Sequence, residues 1–411
     1  MRDASAIMTA CDELAALSAS ADHIERVYLS PEHARANRRV GEWMSEAGMQ
    51  VWQDAAGNLC GRYEGREPGR PALLLGSHLD TVVNAGRYDG ILGVLLAIGV
   101  VARLNENGER LRHPIEVIAF ADEEGSRYGT ALLGSHALTG HWQPHWWALT
   151  DARGETLEAA FRAFGLDPAR IGEAARAPGS VLGYLEAHIE QGPVLEDRGL
   201  PLGVVTGIAG ARRFDIRLEG RAGHAGTTPF ALRRDALCGA AEAIIAIETL
   251  ARAAGVVATV GRIEVAPGAV NVIPGQAVLS LDIRSEDDAL RDRTLGGIES
   301  SLERICQGRG LDIHWRETHS APAVGCAPAL QKTLSQAVAQ VAPASLSLAS
   351  GAGHDGMALA ALCDVAMLFV RCRGGLSHHP DESVEKEDVA AALDAMSLAV
   401  RAIADTPRAP V

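Results

Sequence analysis

Apolar residues change their spacing twice along this chain. Near the start, Val40, Trp43, Met44 and Ala47 recur at helical intervals, and Gly48 can end that helix. After a turn at Ala56-Gly57-Asn58, the runs Pro71 to His78 (PALLLGSH) and Ile115 to Ala121 (IEVIAFA) are almost unbroken apolar stretches, with an apolar helix over 91–104 between them. Strand, helix and strand without alternation predict parallel strands buried on both faces. From about Gly207 the period becomes two: Phe214, Ile216 and Leu218 alternate with Asp215, Arg217 and Glu219. That is the pattern of a strand with one solvated face. A helix over 232–253, strands over 256–265 and 277–285, and a further helix and strand reaching Glu317 complete a βαββαβ unit. The unbroken style returns at Asp364 to Val370 (DVAMLFV), followed by a closing helix over 385–404.

These changes predict an α/β protein: a mostly parallel-sheet domain formed by 1–208 and 321–411, with an inserted α+β, ferredoxin-like domain over 209–320. A length of 411 residues exceeds the usual single core and agrees with two domains. Hydrophobic residues make up 47% of the chain, with 44 Gly and only 4% aromatics, as suits an α/β protein with many small-residue turns. A formal charge of -14 argues against nucleic acid or an anionic membrane as partner. The seven cysteines form no CxxC pair and are odd in number, which points to a reducing compartment. The first residues, MRDASAIMTACDEL, lack the apolar core of a signal peptide, and the longest apolar run, 91–102, is too short to span a bilayer. The expected location is the cytoplasm.

Candidate chemistry concentrates between Gly76 and Gly125, which reads GSHLDT, then YDG at 88–90, then ADEEG at 121–125. His78 and Asp80 stand two apart at a strand end; one can bind a metal while the other orients it. Asp89 precedes the apolar helix, and by itself reads as an N-cap. Glu123 and Glu124 end the next strand, where adjacent like charges bring no stability. Two roles separate them: one carboxylate as metal ligand, the other as a general base. Together these residues point to metal-assisted hydrolysis. His188, His224, His354 and His378 stand in conspicuous settings, yet none is selected as a ligand by spacing. HExxH, Walker A, GxSxG and dinucleotide motifs are absent.

The segments GSHLDTVVNAGRYDG, FADEEGSRYG, EAHIEQGPVLE, GHAGTTPFALRRDAL, GAVNVIPG, SGAGHD and GGLSHHPDE occur in this order across nearly the whole chain. This series resembles the amidase/hydantoinase/carbamoylase branch of the M20 metallopeptidase-like family, and within it the allantoate amidohydrolases most. The resemblance implies two divalent metal ions per chain, zinc or manganese, with cobalt or nickel as alternatives. Asp89 would bridge them, His78 and His188 would complete one site, and Glu124 and His378 the other; His379, directly after, is the competing imidazole. Glu123 would be the general base and Asp80 a supporting carboxylate. Substrate contacts would come from Gln191, Asn271, Arg284 and the loop at Gly353, with Arg212 a further candidate for the same anionic pocket. His224 would polarise the scissile carbonyl, from its own or a partner subunit. The implied reaction is hydrolysis of a ureido or carbamoyl C–N bond in a small carboxylate, first allantoate. Alternatives are an N-carbamoyl-L-amino acid, N-carbamoyl-β-alanine, or an inactive metal-binding interaction protein. The inserted domain is the expected homodimer contact, through its edge strand and first helix, with hinges near Gly207 and Ala321.

Overall fold

The computed structural model describes residues 1–406, which divide into two compact units, Met1–Gly207 with Gly325 onward, and Ile208–Val324. In the first, a nine-stranded sheet has four parallel strands at its centre, ordered Ile115–Phe120, Ala72–His78, Val181–Ile189 and Val365–Val370. Their side chains explain the unbroken apolar runs: every residue of 72–78, 115–120 and 365–370 is buried. The flanking strands Leu59–Tyr63 and Leu202–Ile208 join antiparallel, so the sheet is mixed outside its parallel centre.

Helix Ile91–Glu106 covers this centre, and all but three of its sixteen residues are buried. It lies close because Gly93 has no side chain: a Cβ there would stand 2.1 Å from the carbonyl oxygen of Ala187. The closing helix Lys386–Ala404 packs on the same sheet and on Pro328–Val341. No helix among the described residues is long and apolar enough to cross a membrane.

The second unit is a five-stranded sheet with helices Ala236–Ala254 and Asp288–Arg309. The period-two pattern appears directly in burial: Ala277, Leu279, Leu281 and Ile283 are buried while Val278, Ser280, Asp282 and Arg284 are not. Their apolar face joins Phe214, Ile216 and Leu218 with Ala240, Ala243, Ile247, Leu295, Ile298 and Leu302 in one core. Burying such a face stabilises the fold by about 25 cal/mol for each Å² of apolar surface removed from water. Two elements differ from the periodicity reading. The first helix begins at Ala236, where the Asp235 side chain accepts from the amide of Cys238, while 230–232 form a separate short turn. The strand expected over 256–265 divides into Val257–Thr259 and Ile263–Ala266, both pairing with Gln276–Ser285.

Candidate active site

Parallel strands end side by side, so whatever follows each carboxyl end shares one crevice. His78 closes the 72–78 strand, Glu123 and Glu124 follow the 115–120 strand, His188 lies near the end of 181–189, and His378 follows 365–370. Asp89 reaches the same place from the turn before helix Ile91–Glu106. Gly90, in the left-handed region at φ 72°, permits that turn; a Cβ there would lie 2.4 Å from the His78 ring.

Asp89 is the centre of the arrangement. Its Oδ1 lies 3.0 Å from His188 Nε2 and 3.9 Å from His78 Nε2, and its Oδ2 lies 3.1 Å from His378 Nε2. His378 Nε2 is also 3.4 Å from Glu124 Oε1. Ligand atoms of His78, Asp89 and His188 all fall within 4.8 Å of one another, as do those of Asp89, Glu124 and His378. His379 instead accepts from the amide of Asp381, at 3.2 Å, and is not in these groups.

The imidazoles are set for coordination by their second nitrogens. His78 Nδ1 lies 3.0 Å from the carbonyl of Asp80 and His188 Nδ1 lies 2.8 Å from that of Ile189. A carbonyl only accepts, so Nδ1 carries a proton in both rings; Nε2 is turned toward Asp89 and is the nitrogen that can coordinate once its own proton is lost. Imidazole and carboxylate donors in two groups sharing one Asp fit a pair of borderline divalent ions.

Electrostatics separate the carboxylates. Burial opposes ionisation of Asp89, but hydrogen bonds from His188 and His378 hold it well below the usual carboxylate range. Glu123 is 8% exposed, and burial, followed by the charges of Glu124, Asp355, Asp80 and Asp89, pushes it well above that range. A carboxyl group with raised proton affinity is suited to general acid–base work.

Asp80 acts differently from the simplest reading of its spacing. Its carboxylate accepts from the amides of Glu123 at 3.0 Å and Glu124 at 3.1 Å, while its main-chain carbonyl orients His78. One residue therefore fixes both the imidazole and the Glu pair. Gln191 donates to Asp89 Oδ2 at 3.0 Å and to Ser377 Oγ at 3.2 Å. Gly353 lies just before the buried His354, whose ring meets His188 edge-on at 4.5 Å between centroids. His354, Ser377 and Glu382 also line or support this site, and their only signal in the sequence is membership of the SGAGHD and GGLSHHPDE runs.

The remaining candidates lie in the second unit. His224 pairs with Val272 across a two-stranded ribbon, and the carbonyl of Asn271 accepts from Ala225, so the two candidates are neighbours. Nδ1 of the exposed His224 accepts from Gly226 at 3.1 Å, which leaves Nε2 as the proton donor of the neutral ring. Arg284 is gripped by Asp282, with Nε 2.7 Å and Nη2 2.9 Å from its two oxygens.

Arg212 cannot share a pocket with Arg284. Strand register places Arg212 opposite Ile283 and Arg284 opposite Ala211, so the two guanidinium groups leave opposite faces of the sheet. Arg212 lies over the Phe214 ring at 5.1 Å and binds Glu317 at 2.8 Å, on the helix-covered face. The basic neighbour of Arg284 is Arg213, which reaches the same Asp282 at 2.8 Å.

A family model described as peptidase family M20/M25/M40 matches residues 74–402. The chain belongs to that family. It is 44% identical over 368 residues to an N-carbamoyl-L-amino acid amidohydrolase of Geobacillus stearothermophilus, covering 89% of this chain and 90% of that one. It is 41% identical to an allantoate deiminase of Arabidopsis thaliana, covering 92% of this chain and 78% of the relative. Among solved structures, an amidase of the hydantoinase/carbamoylase family from Burkholderia multivorans superposes with a TM-score of 0.93 at 31% identity, covering 98% of each chain.

Proposed function

We propose that this protein is a metal-dependent amidohydrolase that cleaves a ureido or carbamoyl C–N bond in a small carboxylate, allantoate first. The observation that carries the reading is the pairing of a shared Asp89, each oxygen facing a different histidine, with a buried Glu123 whose Oε2 stands 4.0 Å from His78 Nε2. The residues assigned to the ions are His78, Asp89, His188, Glu124 and His378. Two divalent ions held there would supply Lewis-acid polarisation of the carbonyl and acidification of water.

The chain's own groups do the rest. Glu123 takes a proton from the attacking water and passes it to the leaving nitrogen as the C–N bond breaks. Asp80 keeps Glu123 and Glu124 in place through their amides. His224, through its Nε2 proton, is assigned to the developing oxyanion. Asn271 and Arg284 are assigned to the substrate carboxylate, and Gln191 and the Gly353 loop to further substrate contacts. Hydrolysis of allantoate this way releases a carbamate that falls to ammonia and carbon dioxide.

The second reading, an N-carbamoyl-L-amino acid as substrate, is favoured by the 44% identity to the Geobacillus relative. Ammonia release from both substrates, measured in protein loaded with zinc, manganese, cobalt or nickel, separates them. Faster turnover of allantoate supports the first reading; turnover of the carbamoyl amino acid alone supports the second, and neither with full metal loading refutes both.

We also infer a homodimer formed through the second unit. The supporting observation is exposed apolar surface on its first helix and edge strand: Leu237 is 37% exposed, Ile245 63% and Ile263 43%. Sedimentation of Ile245→Asp as a monomer would bear this out. All seven cysteines are free, which supports a cytoplasmic setting.

A further inference from the structure

We propose that Glu382 is a positioning residue that holds Asp89 and His378 in register, so that the ligand group they share with Glu124 is assembled before an ion arrives. The inference rests on reading this site as a metal centre. Glu382 is 1% exposed, and its Oε1 accepts from the amides of Tyr88 at 2.8 Å and Asp89 at 3.1 Å. Its Oε2 lies 3.0 Å from Ser377 Oγ, and that hydroxyl is also 3.1 Å from Asp89 Oδ2. One carboxylate thus joins two segments whose contacting residues are 294 apart in sequence.

The packing around it leaves little freedom. A Cβ on Gly86 would stand 2.2 Å from the Glu382 carboxyl group, so the loop leading to Asp89 closes directly over it. On the other side, the amide of Glu382 donates to the carbonyl of His379 at 3.0 Å and closes the turn directly after His378. His378 itself has φ 54°, a left-handed conformation that costs a non-glycine residue free energy and persists only where its surroundings impose it. Placing a carboxylate in a buried site beside Asp89 is unfavourable by itself. Its hydrogen bonds are directed at the backbone of one ligand and the loop of the other, so the stabilisation it returns is geometric.

The test strips the full chain with a chelator and titrates zinc in competition with a chromogenic chelator, with thermal unfolding of the metal-free protein alongside. Wild type should bind two ions. In Glu382→Ala, one ion should bind about 10- to 100-fold more weakly, the range typical of losing a group that orients a ligand. The other ion should lose distinctly less, since only its shared ligand Asp89 is disturbed, and the metal-free unfolding temperature should barely move. Glu382→Gln should restore the weakened affinity, since its carbonyl can accept both amides and its NH2 can donate to Ser377. Ser377→Ala, which removes the hydroxyl bridge and the acceptor of Gln191 but leaves Glu382 in place, should give a smaller loss, mainly at the same ion.

Two tightly bound ions in Glu382→Ala would overturn the inference. So would an equal loss of both ions with a lowered unfolding temperature, or a Glu382→Gln defect as deep as that of Ala. If Glu382→Ala does not fold, Ser377→Ala decides: a one-ion loss supports the proposal and wild-type affinity refutes it. Wild-type protein that binds no zinc would instead remove the metal-centre reading underneath.

Discussion

The carboxyl edge of the first unit's sheet and the outer face of the second unit's sheet both gather charged side chains, but they hold them by different means. At the edge, His78, Asp89 and His188 are almost fully buried, and main-chain carbonyls fix the tautomers of both histidines. On the outer face, Arg284 is 29% exposed and Arg213 47% exposed, and both rest on the carboxylate of Asp282. The first arrangement is fixed by the backbone and suits ligands that must not move. The second is fixed by exchangeable ion pairs, which water screens and which a stronger anion can replace.

The sharpest break in this comparison is Asp89→Asn. It should lower bound metal to about one ion per chain or fewer, because a shared ligand loses its charge, and should abolish ammonia release. Metal analysis after dialysis checks it. Asp80→Ala comes next: without its carboxylate the Glu123 and Glu124 amides lose their acceptor, and kcat should fall by about 10- to 100-fold. Arg284→Ala should raise KM by about 10-fold or more, the scale of one charge-assisted hydrogen bond, with kcat less affected. Arg212→Ala is the smallest: KM should stay unchanged and stability should fall by less than about 1 kcal/mol, as for an exposed ion pair. A KM effect of Arg212→Ala matching that of Arg284→Ala would contradict the opposite-face assignment.

The same two regions show what the sequence could reveal. Apolar runs were enough to place His78, Glu123 and Glu124 at neighbouring strand ends and Asp89 at the start of the helix between them, since parallel strands must end together. His188 and His378 came only through resemblance, because a ligand brought in by tertiary folding has no local spacing to announce it. Glu382 lies in the same GGLSHHPDE run, but its role shows only once Tyr88 and Asp89 are seen to donate to it. Arg212, by contrast, could have been read correctly. It shares parity with Phe214, Ile216 and Leu218, whereas Arg284 has the parity opposite to Leu281 and Ile283, so period two alone separates them. An arginine near a strand end can occupy the apolar face where acidic partners meet it there, and Glu317 on the neighbouring strand and Asp292 on the helix Asp288–Arg309 do so here.

The most direct test of the central claim is Glu123→Gln, with metal content and ammonia release measured on the same preparation. About two ions per chain should remain while turnover falls by about 10²- to 10⁴-fold, as expected when a general base is removed and the ligands stay. Turnover near wild type with full metal content would contradict it.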